Sequence, residues 1–550
     1  AKSAAVTVQA EYANLWITQA CFKNSHILRL QNPKNAPSAA PRFVIFLQLT
    51  EPPITSMYSA HLFFSADSCK NRVMSHINNT FLPSGRIDLG TGDLALGPLD
   101  GRYASATAPL TNYLSEAALN RDRIHVEVEW FIYLCEHSIL PGLSPLTGKQ
   151  KNGLRAIVTD FDADSVAELA EIEAVTVHDV KAVEYYIGRR LEGLGLEHLV
   201  PLVHFGCTSE DINNLAYALG IKDAVENVWV PAAENLIEVL LKLAEEGRNV
   251  PMLCRTHGQP ATPSTLGKEL GVLAYRLKRQ VKHVAATEFL GKINGATGTY
   301  AAHYASVPDA DWQDVSRGFV EHLGLTWNPL TTQIESHDWQ AELYSDVARF
   351  NRIAHNLATD VWTYISLGYF HQRLSAQGST GSSTMPHKVN PIRFENGEAN
   401  LEISCSLLDT LAATLVTSRL QRDLTDSTTQ RNVGVALGHS LLAVDNIRRG
   451  LAGLDVDRAR LEEDLEATWE VLGEPVQQAM RAAAVAGATG MADPYERLKE
   501  LTRGKKVTPE GMREFISGLG MPDDVEARLL ALTPATYTGL AAELVSHLDD

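Results

Sequence analysis

Residues 339–364 read WQAELYSDVARFNRIAHNLATDVWTY. Trp339, Leu343, Val347, Phe350, Ile353, Leu357, Val361 and Tyr364 recur there at steps of four and three. That spacing puts all eight on one stripe of a long helix, since a helix turns once every 3.6 residues. One apolar stripe needs another to cover it. Leu266, Leu270, Leu273, Leu277, Val281 and Val284 supply a second, and Leu401, Cys405, Leu408, Leu411 and Leu415 a third. Pro231 is placed to open a further helix carrying Leu236, Ile237, Leu240, Leu241 and Ala244, with Gly247 to close it. Several long amphipathic helices predict an all-α bundle. Neither a run of alternating strands nor a GxGxxG after a strand points to a nucleotide-binding α/β sheet.

The rest of the chain agrees with a large globular protein of several domains, since 550 residues exceed one compact core. Hydrophobic residues make up 45% and charged residues 21%, an ordinary soluble composition. The apolar run Phe43–Leu49 falls short of a bilayer span and is followed by Pro52 and Pro53. No membrane role is expected. A formal charge of −18 argues against nonspecific nucleic-acid binding, which depends on Lys and Arg neutralising phosphates. An anionic small substrate would therefore need a local basic island. The six cysteines are scattered without ligand spacing, so neither a disulfide framework nor zinc is expected, and a reducing compartment fits.

The first 85 residues differ: Lys and Arg outnumber Asp and Glu, apolar residues keep no period, and Pro33, Pro37, Pro41, Pro52 and Pro53 break any helix. The expectation is that residues 1–73 are translated upstream sequence or a processed leader ahead of a start at Met74. An organellar presequence is the alternative, disfavoured by the few arginines.

Between the helices lie polar, glycine-bearing segments: GPLDGRY (97–103), HDVK (178–181), HFGCTSEDINN (204–214), RTHGQ (255–259), GKIN (291–294), GSSTMPHKVN (381–390) and QRDLTDS (421–427). The 381–390 segment could close over a substrate with Gly378 and Gly381 as hinges, its serine stabilised as an alkoxide by nearby N–H groups and an ammonium. The bland reading is a polar connection before Pro391. His257 is suited to proton delivery near neutral pH, with Glu395 as an orienting carboxylate if the fold joins them. A lone histidine is more often structural. Arg422, Ser427 and Arg431, with Arg419 beside them, could bind phosphate or carboxylate, or form a solvated face pairing with Asp423 and Asp426. Thr208 and Ser209 could hydrogen-bond a ligand or cap a helix.

In this order the segments resemble the aspartase/fumarase superfamily, whose hallmark GSSxMPxKxN stands at 381–390. Within it the chain is similar to the adenylosuccinate lyase family through HDVKAVEY (178–185), TSEDINN (208–214), RTHGQPATPST (255–265), GKINGA (291–296), TTQIE (331–335) and QRDLTDST (421–428). The resemblance runs from about Leu96 to the C-terminus. It implies an irregular extension over 1–90, an N-terminal helical domain over 91–198, a central long-helix bundle over 199–455 and a C-terminal helical domain over 456–550. It also implies a homotetramer with active sites shared between chains, working in the cytoplasm.

The implied reaction is a cofactor-free, metal-free anti β-elimination releasing fumarate from adenylosuccinate and from the succinyl-carboxamide ribotide of purine synthesis. Ser382 would be the base, His257 the acid with Glu395 as its partner, and Lys388 and Asn390 would stabilise the developing dianion. Lys292 and Asn294 would hold the succinyl part. Arg102, Tyr103, His178, Asp179, Arg422, Ser427 and Arg431 would contact the nucleotide, the last three nearest its phosphate. Thr208, Ser209, Gln333 and Asn396 would complete the pocket. The family's Asn before His-Asp is Val177 here, which removes a hydrogen-bonding side chain, and the loop at 375–380 is one residue longer than expected. A superfamily lyase for argininosuccinate or a simple dicarboxylic acid is the nearest rival, but needs no phosphate group of arginines. A non-catalytic descendant would have lost His257, Ser382 or Lys388, and all three are present.

Overall fold

The computed structural model describes residues 95–373, 385, 388–491, 493–502 and 507–549. The 1–73 extension, Met74, Ser382, the hinge glycines and the loop at 375–380 lie outside the described residues. All the described helices and strands belong to the unit spanning 92–550.

Five α-helices come first among the described residues. These are α1 (Ala104–Leu114), α2 (Glu116–Glu136), α3 (Gly148–Thr159), α4 (Ala163–Thr176) and α5 (Asp179–Glu192). Their starts are written in polar caps. Ser115 Oγ accepts the Ala118 N–H at 3.1 Å, and Thr147 and Gln150 form a reciprocal capping box, each meeting N–H groups that a helix start leaves unpaired. Helix α2 lies against α1, α3 and α5, and α4 against α5.

Next, α6 (Ser209–Ala224) runs through a π-helical turn at Val225–Trp229 into α7 (Val230–Glu246). The expected α-helix thus does open with Pro231 in its first turn, but it is continuous with α6 through the π turn. Proline has no N–H to give the preceding turn and its ring crowds that turn's carbonyl; the wider π turn just before it absorbs both defects without ending the helix. Gly247 does stand at its C-terminal cap.

A short ribbon follows: β1 (Pro251–Met252), β2 (Arg255–Thr256), β3 (Gln259–Pro260) and β4 (Ser264–Thr265), with β1 antiparallel to β4 and β2 to β3. Then come α8 (Leu266–Ala285), α9 (Ala301–Ser306), α10 (Trp312–His322), α11 (Asp338–Ser366), α12 (Ile392–Leu415), α13 (Thr425–Gln430) and α14 (Val433–Ala452). Among the described residues, strands never exceed three residues.

Helices α7, α8, α11, α12 and α14 pack in a closed ring, each against the next and α14 back on α7. The three apolar stripes read from sequence face into it. Leu343, Val347, Phe350, Leu357 and Val361 of α11 are fully buried, as are Leu270 and Leu277 of α8 and Leu408 of α12; Tyr364 is only half-buried. Each such side chain contributes about 1.5–3 kcal/mol on burial, well above the few tenths by which helix propensities differ, so packing decides this bundle. Polar threads register it: Trp229 Nε1 donates to Ser440 Oγ at 2.9 Å, and Ser440 Oγ to Asn351 Oδ1 at 2.7 Å.

Beyond the bundle, α15 (Arg458–Glu466) leads to α16 (Gly473–Val485), α17 (Pro494–Thr502), α18 (Pro509–Ser517) and α19 (Asp523–Leu530). These enclose a core of their own around Trp469, Leu472, Val476, Met480, Met512 and Ile516. No helix among the described residues is long and apolar enough to cross a membrane.

Candidate active site

The β2–β3 hairpin turns on two residues, His257 and Gly258, with φ of 53° and 74°. Positive φ at both positions is the turn that matches strand twist in a two-residue hairpin. It leaves His257 exposed at the tip. The ribbon itself is fixed: Arg255 Nη2 donates to Asp464 Oδ2 at 2.7 Å, and the Thr262 hydroxyl donates to Glu474. Glu395, in the first turn of α12, accepts from Trp362 Nε1 at 3.2 Å. No hydrogen bond or ion pair among the described residues joins it to His257, so the two expected partners do not meet within one chain.

Near Glu395, Asn396 Nδ2 donates to the Tyr103 hydroxyl at 3.2 Å, with the Arg102 guanidinium 5.9 Å from the Tyr103 ring centre. The structure thus brings Asn396 to Arg102 and Tyr103, from far away in sequence. Lys388 is exposed and Asn390 half-buried on the chain entering α12.

A second group forms around a residue the motifs did not reveal. Arg123 of α2, only 2% exposed, donates to Asn213 Oδ1 at 2.9 Å, Asn120 Oδ1 at 2.9 Å and Asp179 Oδ2 at 2.8 Å. Asn213 Nδ2 continues to Glu210 Oε1 at 2.8 Å, which also receives Arg422 Nη2 at 2.8 Å. Arg422 Nη1 reaches Gln333 Oε1 at 3.3 Å. From Asp179 the chain runs the other way to Arg431 Nη2 at 3.2 Å and on to Glu116. The network therefore gathers Asp179, Gln333, Arg422 and Arg431. Ser427 lies on α13 between the two arginines, its N–H bound to Asp426 Oδ1 at 2.6 Å. The solvated-face alternative fits Arg419, which is 82% exposed and paired with Asp423. It does not fit Arg422, which pairs with neither Asp423 nor Asp426.

Burial alone would raise the Asp179 carboxyl, but Arg123, the Val180 N–H and Arg431 together hold it below the usual carboxylate range. A depressed carboxyl stabilises the fold at pH above its unfolded pKa, and the stabilisation is lost as pH falls through the folded one. This junction is therefore intact at neutral pH.

His178 caps α5, its Nδ1 accepting the Lys181 N–H at 3.2 Å, and its ring is about half exposed. Thr208 caps α6 in a box with Asp211, whose Oδ2 accepts the Thr208 N–H at 2.8 Å. Ser209 follows as the helix's first residue, half-buried. Lys292 and Asn294 occupy a different place from the expected one. The Lys292 ammonium donates to Asp211 Oδ1 at 2.9 Å with both side chains at 0% exposure. Asp211 also accepts the N–H groups of Asn294 at 2.9 Å and Gly295 at 3.1 Å. Asn294 is itself buried, with Nδ2 on Thr331 Oγ1 at 2.7 Å. The expectation of a succinyl contact from Lys292 is thus corrected: its charge is spent on a buried carboxylate that ties the 208 and 291–295 segments together.

Val177 stands just past α4 with φ 52° and ψ 33°, 87% exposed. A left-handed β-branched residue is strained, whereas Asn is enriched in that region. The substitution noted in the sequence therefore changes backbone cost as well as hydrogen bonding. Val177→Asn is expected to stabilise the protein by about 1 kcal/mol, read as a rise in denaturation midpoint; a lower midpoint would contradict it.

The family described as Lyase matches residues 101–403, and that described as Adenylosuccinate lyase C-terminal matches residues 418–538. Over 455 residues the chain is 48% identical to adenylosuccinate lyase of Escherichia coli K12, covering 82% of this chain and 98% of that one. The Haemophilus influenzae adenylosuccinate lyase is also 48% identical over 455 residues, with the same coverage of 82% and 98%. The Legionella pneumophila (strain Corby) protein of that name is 45% identical over 452 residues, covering 82% and 98%. Among solved structures, fumarate lyase from Mesorhizobium sp. BNC1 superposes with a TM-score of 0.64 at 20% identity, covering 80% of this chain and 97% of that one. The 3-carboxy-cis,cis-muconate lactonizing enzyme from Pseudomonas putida does so at 0.62 and 21%, covering 80% and 96%. These two likenesses speak to the fold alone, which is all-helical.

Proposed function

Since the chain belongs to the adenylosuccinate lyase family, we infer that it is a carbon–nitrogen lyase releasing fumarate from adenylosuccinate to leave AMP, and from succinyl-aminoimidazole-carboxamide ribotide. The observation that carries this reading is the network joining Asp179, Gln333, Arg422 and Arg431. It concentrates guanidinium donors at one place in an acidic protein, as a nucleotide phosphate requires and a simple dicarboxylate does not.

In the proposed reaction Ser382, as alkoxide, takes the proton from the carbon beside a succinyl carboxylate. The electrons left behind spread into that carboxylate, and the resulting dianion is stabilised as it forms by Lys388 and Asn390. They then form the double bond of fumarate as the carbon–nitrogen bond breaks. His257 delivers a proton to the departing nitrogen, oriented by Glu395. Arg102, Tyr103, His178, Asp179, Thr208, Ser209, Gln333 and Asn396 hold the nucleotide and the purine side, and Arg422, Ser427 and Arg431 its phosphate. Lys292 and Asn294 support the pocket from beneath.

His257 would serve a site on another chain of a homotetramer. Its exposure at a rigid hairpin tip, with no carboxylate partner among the described residues of its own chain, supports this arrangement. So do Val272 and Tyr275 of α8, Trp362 of α11 and Ile403 of α12, each more than 40% exposed on the outside of the bundle; apolar helix faces of this kind call for a cover. The described cysteines are unpaired, which suits the cytoplasm as the place of work.

The test is the ultraviolet absorbance change when the protein meets adenylosuccinate, run beside argininosuccinate and beside Ser382→Ala. Turnover of adenylosuccinate alone, lost in the variant, is expected. Turnover of argininosuccinate, or of neither, would contradict the reading.

A further inference from the structure

Three carboxylates face the arginine pair, and they are held very differently. Glu210, on Arg422, is 4% exposed and also accepts Asn213; Asp179 is 27% exposed and also binds Arg123 and its neighbour's N–H. Glu116 is 61% exposed. Both its oxygens sit on Arg431 Nη1, at 2.6 and 2.8 Å, and no other hydrogen bond or ion pair holds that carboxylate among the described residues. The two line a crevice of about 60 Å³, shared with Ser115, Tyr217 and Gln430.

We propose that Glu116 is a displaceable internal anion, occupying Arg431 while no nucleotide is bound and giving way when the substrate phosphate arrives. It is a positioning residue. Its release sets part of the cost of binding. The inference rests on the reading that Arg431 receives the phosphate. Exchange is feasible because an exposed pair is weak, whereas a phosphate offers more charge and more acceptor oxygens to the same donor. Asp179 and Glu210 stay in place, so the rest of the network survives the exchange.

The experiment uses the full chain with Glu116→Gln and, to keep the negative charge at the start of α2, Glu116→Asp, whose shorter side chain falls short of Arg431. KM and kcat are measured for adenylosuccinate and for the same compound lacking its phosphate, together with inhibition by inorganic phosphate. In both variants KM for adenylosuccinate should fall roughly two- to five-fold, inhibition by inorganic phosphate should tighten to a similar extent, and KM for the phosphate-free compound should stay put. An adenylosuccinate KM that is unchanged or raised, or an equal shift for the phosphate-free compound, overturns the proposal. Arg431→Gln separates the two levels of inference. If it raises KM for adenylosuccinate alone, the phosphate reading stands and only Glu116 is in question. If it affects neither substrate, the phosphate reading itself fails, and the proposal with it.

Discussion

Replacing His257 by alanine is expected to lower turnover of adenylosuccinate by about 10²–10⁴-fold, while the variant still binds substrate. The expectation follows from where the imidazole is placed. Residues 255–260 hold it at a two-residue turn, and Arg255 and Thr262 tie the ribbon down through Asp464 and Glu474. His257 carries the only imidazole in that hairpin. Because the ring is exposed and makes no hydrogen bond to the described residues of its own chain, removing it leaves no cavity and no orphaned partner. Loss of kcat should therefore come without loss of fold. Steady-state kinetics with a denaturation midpoint beside them check this, and wild-type kcat would refute the assignment.

Asp211→Ala should have the largest effect on stability, about 3–5 kcal/mol. The carboxylate is fully buried, pairs with an equally buried Lys292, and takes the N–H groups of Thr208, Asn294 and Gly295. Its removal strands an ammonium in the interior and unties the α6 start from the 291–295 segment. Because breaking such a pair costs more than replacing both members by apolar groups, Asp211→Leu with Lys292→Met should recover part of the loss. Chemical denaturation checks both variants; a cost below about 1 kcal/mol, in the range of an exposed pair, would contradict the account.

The misplacement of Lys292 shows what a sequence conceals. A lysine in a polar, glycine-bearing segment reads as a ligand contact, because the carboxylate that buries its charge lies eighty-one positions away. Arg123 was hidden for the opposite reason. Helix α2 carries Arg121, Asp122, Arg123, Glu127 and Glu129, which by composition resembles a solvated face. Arg123, Glu127 and Glu129 are nevertheless buried, each paired across to another segment, as in Glu127 with His204 and Glu129 with Arg155. An arginine running directly into the apolar residues Ile124 and Val126 was the available signal.

The bundle was legible because burial imposes a period that no other requirement mimics, so the α8, α11 and α12 stripes emerge at once. The continuity of α6 with α7 was not legible, because the π turn just before Pro231 has no sequence mark of its own. For the site, residues sharing a motif with the superfamily hallmark could be named in advance. Their grouping could not, since Tyr103 and Asn396, or Asp179 and Arg431, meet only through the packing of α1, α2, α5, α12 and α13.

The central claim is that His257 acts on a site completed by Ser382 of a different chain. Mixing His257→Ala chains with Ser382→Ala chains, after dissociating and reassociating them, tests it most directly. Activity on adenylosuccinate well above that of either variant alone is the predicted result, because mixed assemblies would hold some sites with both groups intact; a mixture no more active than its parts would contradict the claim.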